Sequence, residues 1–198
     1  MLGQSPLSHI PLARVPLGKN KFVQLALERT LQLVKEIKGI EHLRTTLQPG
    51  LDIAILGGND FYSQRAQLEA RGLPRTLKSL EEMPPFVPLG VTLENAHKTG
   101  MGSSAALITS LVAALLVHLQ VVDRQSLTEP LGEGRRLIHN VAQYVHCLAQ
   151  GKVGSGFDVS SAIFGSHIYT RFDPSVIQPL MDATVPYLHH RRNRLIYH

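Results

Sequence analysis

Tryptophan is absent and cysteine occurs once, at Cys147. A lone cysteine excludes an intrachain disulfide framework and a cysteine-built zinc site, and it suits a reducing compartment. Aromatic residues make up 6% of the 198 positions, which leaves little surface for stacking nucleic-acid bases. Charged residues are scarce at 18% against 43% hydrophobic, the balance of a globular core. No secretory signal is visible, because Pro6, Pro11 and Pro16 interrupt the N-terminal apolar residues. The last residues, Leu195 to His198, match neither a prenylation nor a peroxisomal signal. A membrane-spanning run of about twenty apolar residues is approached only between Ser104 and Val122. Thr109, Ser110, His118 and Gln120 break that run, and its small residues predict a buried central helix instead.

The chain carries a formal net charge of +5 and a pI near 9.6. Such a balance admits an anionic ligand, nucleic acid, or simply a basic surface. The basic residues do not form one long run; the densest cluster, His189 to Arg194, lies in a C-terminal tail read as solvated. No recognised nucleic-acid motif accompanies it. The expected partners are therefore small molecules, with neither nucleic acid nor membrane, and the expected location is the cytoplasm.

Residues 1–18 are proline-rich and aperiodic, an extended lead-in. Lys21 to Ile37 reads as an amphipathic helix, with Val23, Ala26, Leu27, Thr30, Val34 and Ile37 on one face and Gly39 as its stop. Leu51 to Leu56 is a short apolar run predicted to be a strand, as are Phe86 to Leu93 and the alternating Ser166 to Phe172. Ser63 to Arg71 and Thr76 to Met83 read as short surface helices, the second capped by Thr76. Residues 123–133 form a polar loop. Leu137, Ile138, Val141, Ala142, Val145 and Leu148 mark another helix, closed by Gly151. Val159 to Phe164 continues as a short helix. His139 and His146, seven apart and hence on one helix face, lack a third ligand at useful spacing, so a structural role is expected for both.

Chemistry concentrates in two glycine stretches. In Lys98-Thr-Gly-Met-Gly-Ser-Ser-Ala-Ala106, Gly100 and Gly102 allow backbone angles that larger residues resist. A helix opening at the serines would offer unpaired N–H groups and the positive end of its dipole to a phosphate. The alternative is an ordinary helix start with a serine cap. The second stretch is Gly151-Lys-Val-Gly-Ser-Gly-Phe-Asp158. A carboxylate at Asp158, heading a helix, would be held as an anion and could take a proton from, or orient, an attacking group in phosphoryl transfer; the alternative is that Asp158 merely caps the helix. Lys98 and Lys152 adjoin these loops and could neutralise phosphate oxygens, or stand as solvated lysines.

The first stretch resembles the phosphate loop of the GHMP kinase superfamily. More narrowly, Ile138 to Gln143, His146 to Asp158, Tyr169 to Phe172, Lys19-Asn20 with Phe22, and Asp52 to Ser63 resemble phosphomevalonate kinases, the last in wording close to the plant members. The resemblance covers residues from about 19 to 180. It implies an α+β fold, a GHMP-kinase-like N-terminal domain of the ribosomal protein S5 domain 2-like type, incomplete here and spanning 19–180, with a basic tail over 181–198. It implies ATP-dependent phosphorylation of 5-phosphomevalonate to the diphosphate, in the mevalonate route to isoprenoids, with ATP and Mg²⁺ as cofactors, and a peroxisomal location as the alternative to the cytoplasm. On this resemblance Lys98, Gly100, Met101, Gly102, Ser103, Ser104 and Ala105 line the ATP phosphates. Ser104 also approaches Mg²⁺, Asp158 and Lys98 serve catalysis, and Lys152 and Ser155 meet the substrate phosphate. The chain departs from the family where a metal-binding Glu is expected: His146, Cys147 and Gln150 stand there. It also lacks the family's N-terminal lysine strand and C-terminal glycine motif. It therefore reads as a central fragment, with weak or no turnover expected alone. A silent nucleotide-binding module and a kinase of another small phosphorylated alcohol remain the alternatives.

Overall fold

The computed structural model describes residues 20–92 and 95–182. The lead-in over 1–18, the last residue of the predicted strand Phe86 to Leu93, and nearly all of the basic tail lie outside the described residues.

Three long helices make the core. Helix α1 (Lys21–Lys38) starts where Asn20 Oδ1 accepts the Phe22 and Val23 amides at 3.1 and 3.3 Å. It stops at Gly39, whose φ of 86° few other residues adopt. Its buried face is Val23, Ala26, Thr30, Leu33 and Val34, whereas Ile37, expected on that face, is largely exposed. A short α2 (Ile40–Leu47) follows. Helices α3 (Arg65–Ala70) and α4 (Leu77–Glu81) are the two small surface helices, and the Thr76 hydroxyl does cap α4 by accepting the Ser79 amide at 3.2 Å.

Helix α5 (Ser103–His118) runs through the middle, buried at Ala105, Ile108, Thr109, Leu111, Val112, Leu115 and Leu116. It packs on α1, on α6 (Glu133–Gln150) and on α7 (Phe157–Phe164). It ends four residues before Val122, in a turn where Gln120 takes a φ of 57°. Gly151, with φ 72°, closes α6 as expected. A last short helix, α8 (Gln178–Asp182), leans on α6. No described helix is long and apolar enough to cross a membrane.

The predicted strands do not form among the described residues. Segments 51–56, 86–92 and 166–172 carry no ladder, and the β-pairing present is one isolated antiparallel bridge between Tyr62 and Lys98. The Ser63 amide donates to the His97 carbonyl at 2.8 Å and the Thr99 amide to Phe61 at 3.2 Å beside it. A strand exists only through its neighbour's hydrogen bonds, and no ladder bonds join these segments to any other described one. Ile168, in the third run, is 98% exposed. The three strand predictions are thus corrected for the described residues, which are helical with a single bridge, and no sheet of the ribosomal protein S5 domain 2-like kind forms among them.

Candidate functional site

The site forms where the N-termini of α5 and α7 meet the last turn of α6. Gly100 and Gly102 both take left-handed angles, φ 85° and 77°. Gly102 itself occupies the N-cap of α5, with no side-chain cap, and the first helical bond runs from the Ala106 amide to Gly102 O at 3.0 Å. The serine-cap alternative is therefore corrected: Ser103 and Ser104 are the first residues inside the helix, and the amides of Ser103, Ser104 and Ala105 precede its first bond. Uncapped amides at the positive end of a sixteen-residue helix favour an anion.

Helix α7 repeats the device. Gly156, φ 84°, is its N-cap, again without a side-chain cap. Asp158 sits in the first turn, so the capping alternative for it is also corrected; its Oδ1 accepts the Val159 amide at 3.0 Å. The two glycine turns abut. A Cβ placed on Gly102 would lie 3.6 Å from Asp158 Cβ, an ordinary van der Waals contact, so the loop runs beside Asp158 and it is the positive φ of 77°, not lack of space, that favours glycine.

His146 joins the three elements. Its Nε2 lies 3.1 Å from Ser104 Oγ, 3.2 Å from the Gln150 amide nitrogen and 3.8 Å from Asp158 Oδ2. Burial pushes the imidazole below its ordinary value, and the Asp158 charge pulls it only partly back. Near neutral pH the ring is therefore uncharged, and the 3.8 Å contact is not an ion pair. A cavity of about 180 Å³ opens beside it, with Gln150, Lys152, Ser155 and Asp158 among its walls. Ser103 and Ser104 are not wall residues, but Ser104 reaches the cavity's edge through His146. Lys98 is exposed, held at the bridge with Tyr62, and Met101 is exposed on the loop. The structure thus brings together Gly102, Ser104, Asp158, Lys152 and Ser155, while Lys98 stands apart from the cavity wall.

Residues to which the sequence assigns no site role brace the second glycine loop. The Tyr169 hydroxyl donates to the Ser155 carbonyl at 2.5 Å, pinning the second glycine loop. Gln143, buried on α6, packs against Gly156 together with Phe172 and Tyr169. The sequence marks His146 as structural and, with Gln150, as standing where the family's metal-binding Glu is expected; its spacing of four from Gln150 puts both on the face that meets Asp158.

No group of three or more His, Cys, Asp or Glu capable of holding a metal occurs among the described residues. Near the glycine turns the donors are the Asp158 carboxylate and the Ser104 hydroxyl. Mg²⁺ is commonly held by one or two carboxylates plus substrate phosphates, so these donors fit a cation that arrives on a nucleotide.

Burial also pushes His139 below its ordinary value; its ring packs on Phe164 at 5.3 Å and its Nε2 is buried without a partner. Both histidines fold neutral, so the stability they contribute is fully present above the unfolded pKa of about 6.5 and is lost as pH falls through their lowered folded values. Stability should decline on going from pH 7.5 to 5.5, by no more than about 1.4 kcal/mol per pH unit for each histidine, read as a falling melting temperature. His139→Leu should flatten the profile; an unchanged slope would remove His139 from the effect.

The chain is similar to kinases of small molecules. Specifically, it is 45% identical to the peroxisomal phosphomevalonate kinase of Arabidopsis thaliana, across 86% of this chain and 37% of that protein. Against a phosphomevalonate kinase of Aspergillus fumigatus the identity is 42%, over 90% of this chain and 33% of the relative. For that of Gibberella zeae it is 39%, over 85% and 35%. The chain spans about a third of the length of the curated relatives it matches. No family model matches it, and no solved structure does.

Proposed function

We propose that this chain carries the nucleotide-phosphate site of an ATP-dependent phosphomevalonate kinase, the enzyme that converts 5-phosphomevalonate to 5-diphosphomevalonate. The observation that supports it most is the approach of Gly102, at the uncapped start of α5, to Asp158 at the start of α7. In this assignment the amides of Ser103, Ser104 and Ala105, with Gly100, Met101 and Gly102 giving the loop its path, bind the ATP phosphates. Ser104 and Asp158 would hold Mg²⁺, which neutralises charge on the β- and γ-phosphate oxygens. The acceptor is itself an anionic phosphate, so Asp158 orients it more than it deprotonates it. Lys152 and Ser155, on the cavity wall, meet that acceptor phosphate, and Lys98 supplies positive charge from the loop's far side. Positioning and charge cancellation account for most of phosphoryl-transfer catalysis.

The family's α+β architecture belongs to the same proposal, in a domain over 19–180. Its location is the cytoplasm or, as for the Arabidopsis relative, the peroxisome. Calorimetric titration of the folded chain with Mg·ATP and 5-phosphomevalonate tests it, with labelled product followed under single-turnover conditions. Saturable binding of both ligands with slow transfer is expected. A cooperatively melting chain that binds neither would overturn the assignment. Nucleotide binding with no acceptor binding would leave a silent nucleotide module.

A further inference from the structure

His146 Nε2 faces more polar groups than one ring nitrogen serves. The residue is 3% exposed, and its Nε2 meets Ser104 Oγ from α5 at 3.1 Å and the Gln150 amide nitrogen at 3.2 Å. Asp158 Oδ2 stands at 3.8 Å, beyond hydrogen-bond reach. A neutral imidazole nitrogen offers either one proton or one lone pair. The Gln150 amide nitrogen only donates, so a nitrogen that bonds it must present its lone pair. Ser104, at almost the same distance, then donates its proton as well. The Phe22 ring of α1 makes a tilted contact with the imidazole at 6.1 Å between centroids.

A serine hydroxyl that ligates a cation must point its proton elsewhere. We infer that His146 is a positioning residue: its Nε2 accepts the Ser104 hydroxyl hydrogen bond and so commits the lone pairs of Ser104 Oγ to the cation carried by ATP. This rests on the proposed nucleotide site. It assigns to a histidine, on the helix where a carboxylate was expected, the task of orienting a ligand without binding the metal itself. Outer-shell partners of this kind typically tune affinity by 10–100-fold.

The test is Mg·ATP titration of the wild-type chain, His146→Leu and His146→Gln, each first checked for a cooperative melt, with AMP as a comparison ligand. His146→Leu keeps the volume and removes the acceptor; it should weaken Mg·ATP about 10-fold or more and leave AMP, which lacks the terminal phosphates, within about 2-fold. His146→Gln, whose amide oxygen can accept the same hydroxyl, should recover most of the loss. A folded His146→Leu chain that binds Mg·ATP like the wild type would overturn the inference while leaving the site standing. Equal losses for Mg·ATP and AMP, or no recovery in His146→Gln, would reduce His146 to a packing role. Failure of the wild type to bind Mg·ATP would remove the site and the inference together. Should His146→Leu not fold, ¹⁵N spectra of the histidine-labelled wild type decide: an Nε2 without a proton supports the inference, and an Nε2–H tautomer contradicts it.

Discussion

Asp158→Asn is expected to lower single-turnover phosphoryl transfer by roughly 100-fold or more, the scale seen when one preorganised charged group is removed from a reacting centre, while Mg·ATP affinity changes far less. The structure explains why the two effects should separate. Asp158 Oδ1 accepts the Val159 amide, a bond that an Asn side-chain oxygen also makes, so the first turn of α7 stays formed. The amides at the start of α5 are untouched, and they carry the nucleotide phosphates. What disappears is the negative charge beside Gly102, and with it the group that orients the acceptor and helps hold the cation. Transfer by Asp158→Asn equal to the wild type would take Asp158 out of the mechanism.

The second large effect is expected at Gly156. Its φ is +84°, a region that side chains resist. A Cβ there would meet Gln143 Oε1 at 2.6 Å, Phe172 at 2.9 Å and the Tyr169 hydroxyl at 2.9 Å. Any one of these could shift alone, but Gln143 is buried and Tyr169 is committed to Ser155. Gly156→Ala therefore combines backbone strain with overpacking, about 2–3 kcal/mol in all, or a fall of roughly 5–10 °C in melting temperature for a chain of this size. Because Gly156 caps α7, the same change should displace Asp158. Gly151→Ala is the comparison: its φ is also positive but a Cβ there meets nothing within 4 Å, so its loss should be smaller. Equal melting temperatures for the wild type and Gly156→Ala would show that the packing around this turn gives way freely.

Much of the helical frame was legible from spacing. Val23, Ala26, Thr30 and Val34 marked the face of α1, Gly39 and Gly151 marked stops, and the apolar run from Ser104 marked the central helix. These signals are local, set by period and by the backbone freedom of glycine. The three strand predictions failed among the described residues for the opposite reason. A run such as Leu51 to Leu56 is short and apolar, and whether it becomes a strand depends on a neighbour that the run itself does not encode.

The site was legible in its parts. The sequence marks Gly100 and Gly102 as allowing backbone angles that larger residues resist, and both take positive φ in the left-handed region. The sequence could not say that Gly102 and Gly156 would take the caps from Ser103 and Asp158, because a cap depends on the turn's geometry as well as on residue type. Nor could it show that His146 would become the common neighbour of Ser104, Gln150 and Asp158. That meeting arises only when α5, α6 and α7 pack, and a lone histidine within an apolar stripe gives no sign of it.

The most direct test of the account is where a nucleotide's metal lies. With Mn²⁺ in place of Mg²⁺, ATP should broaden the amide resonances of Ser103, Ser104 and Ala105 together with those of Asp158 and Val159, at Mn·ATP concentrations well below the protein's. Broadening centred elsewhere, for instance on the apolar groove between Leu68 and Leu80, or none in a chain that melts cooperatively, would contradict the claim that the two glycine turns form one phosphate site.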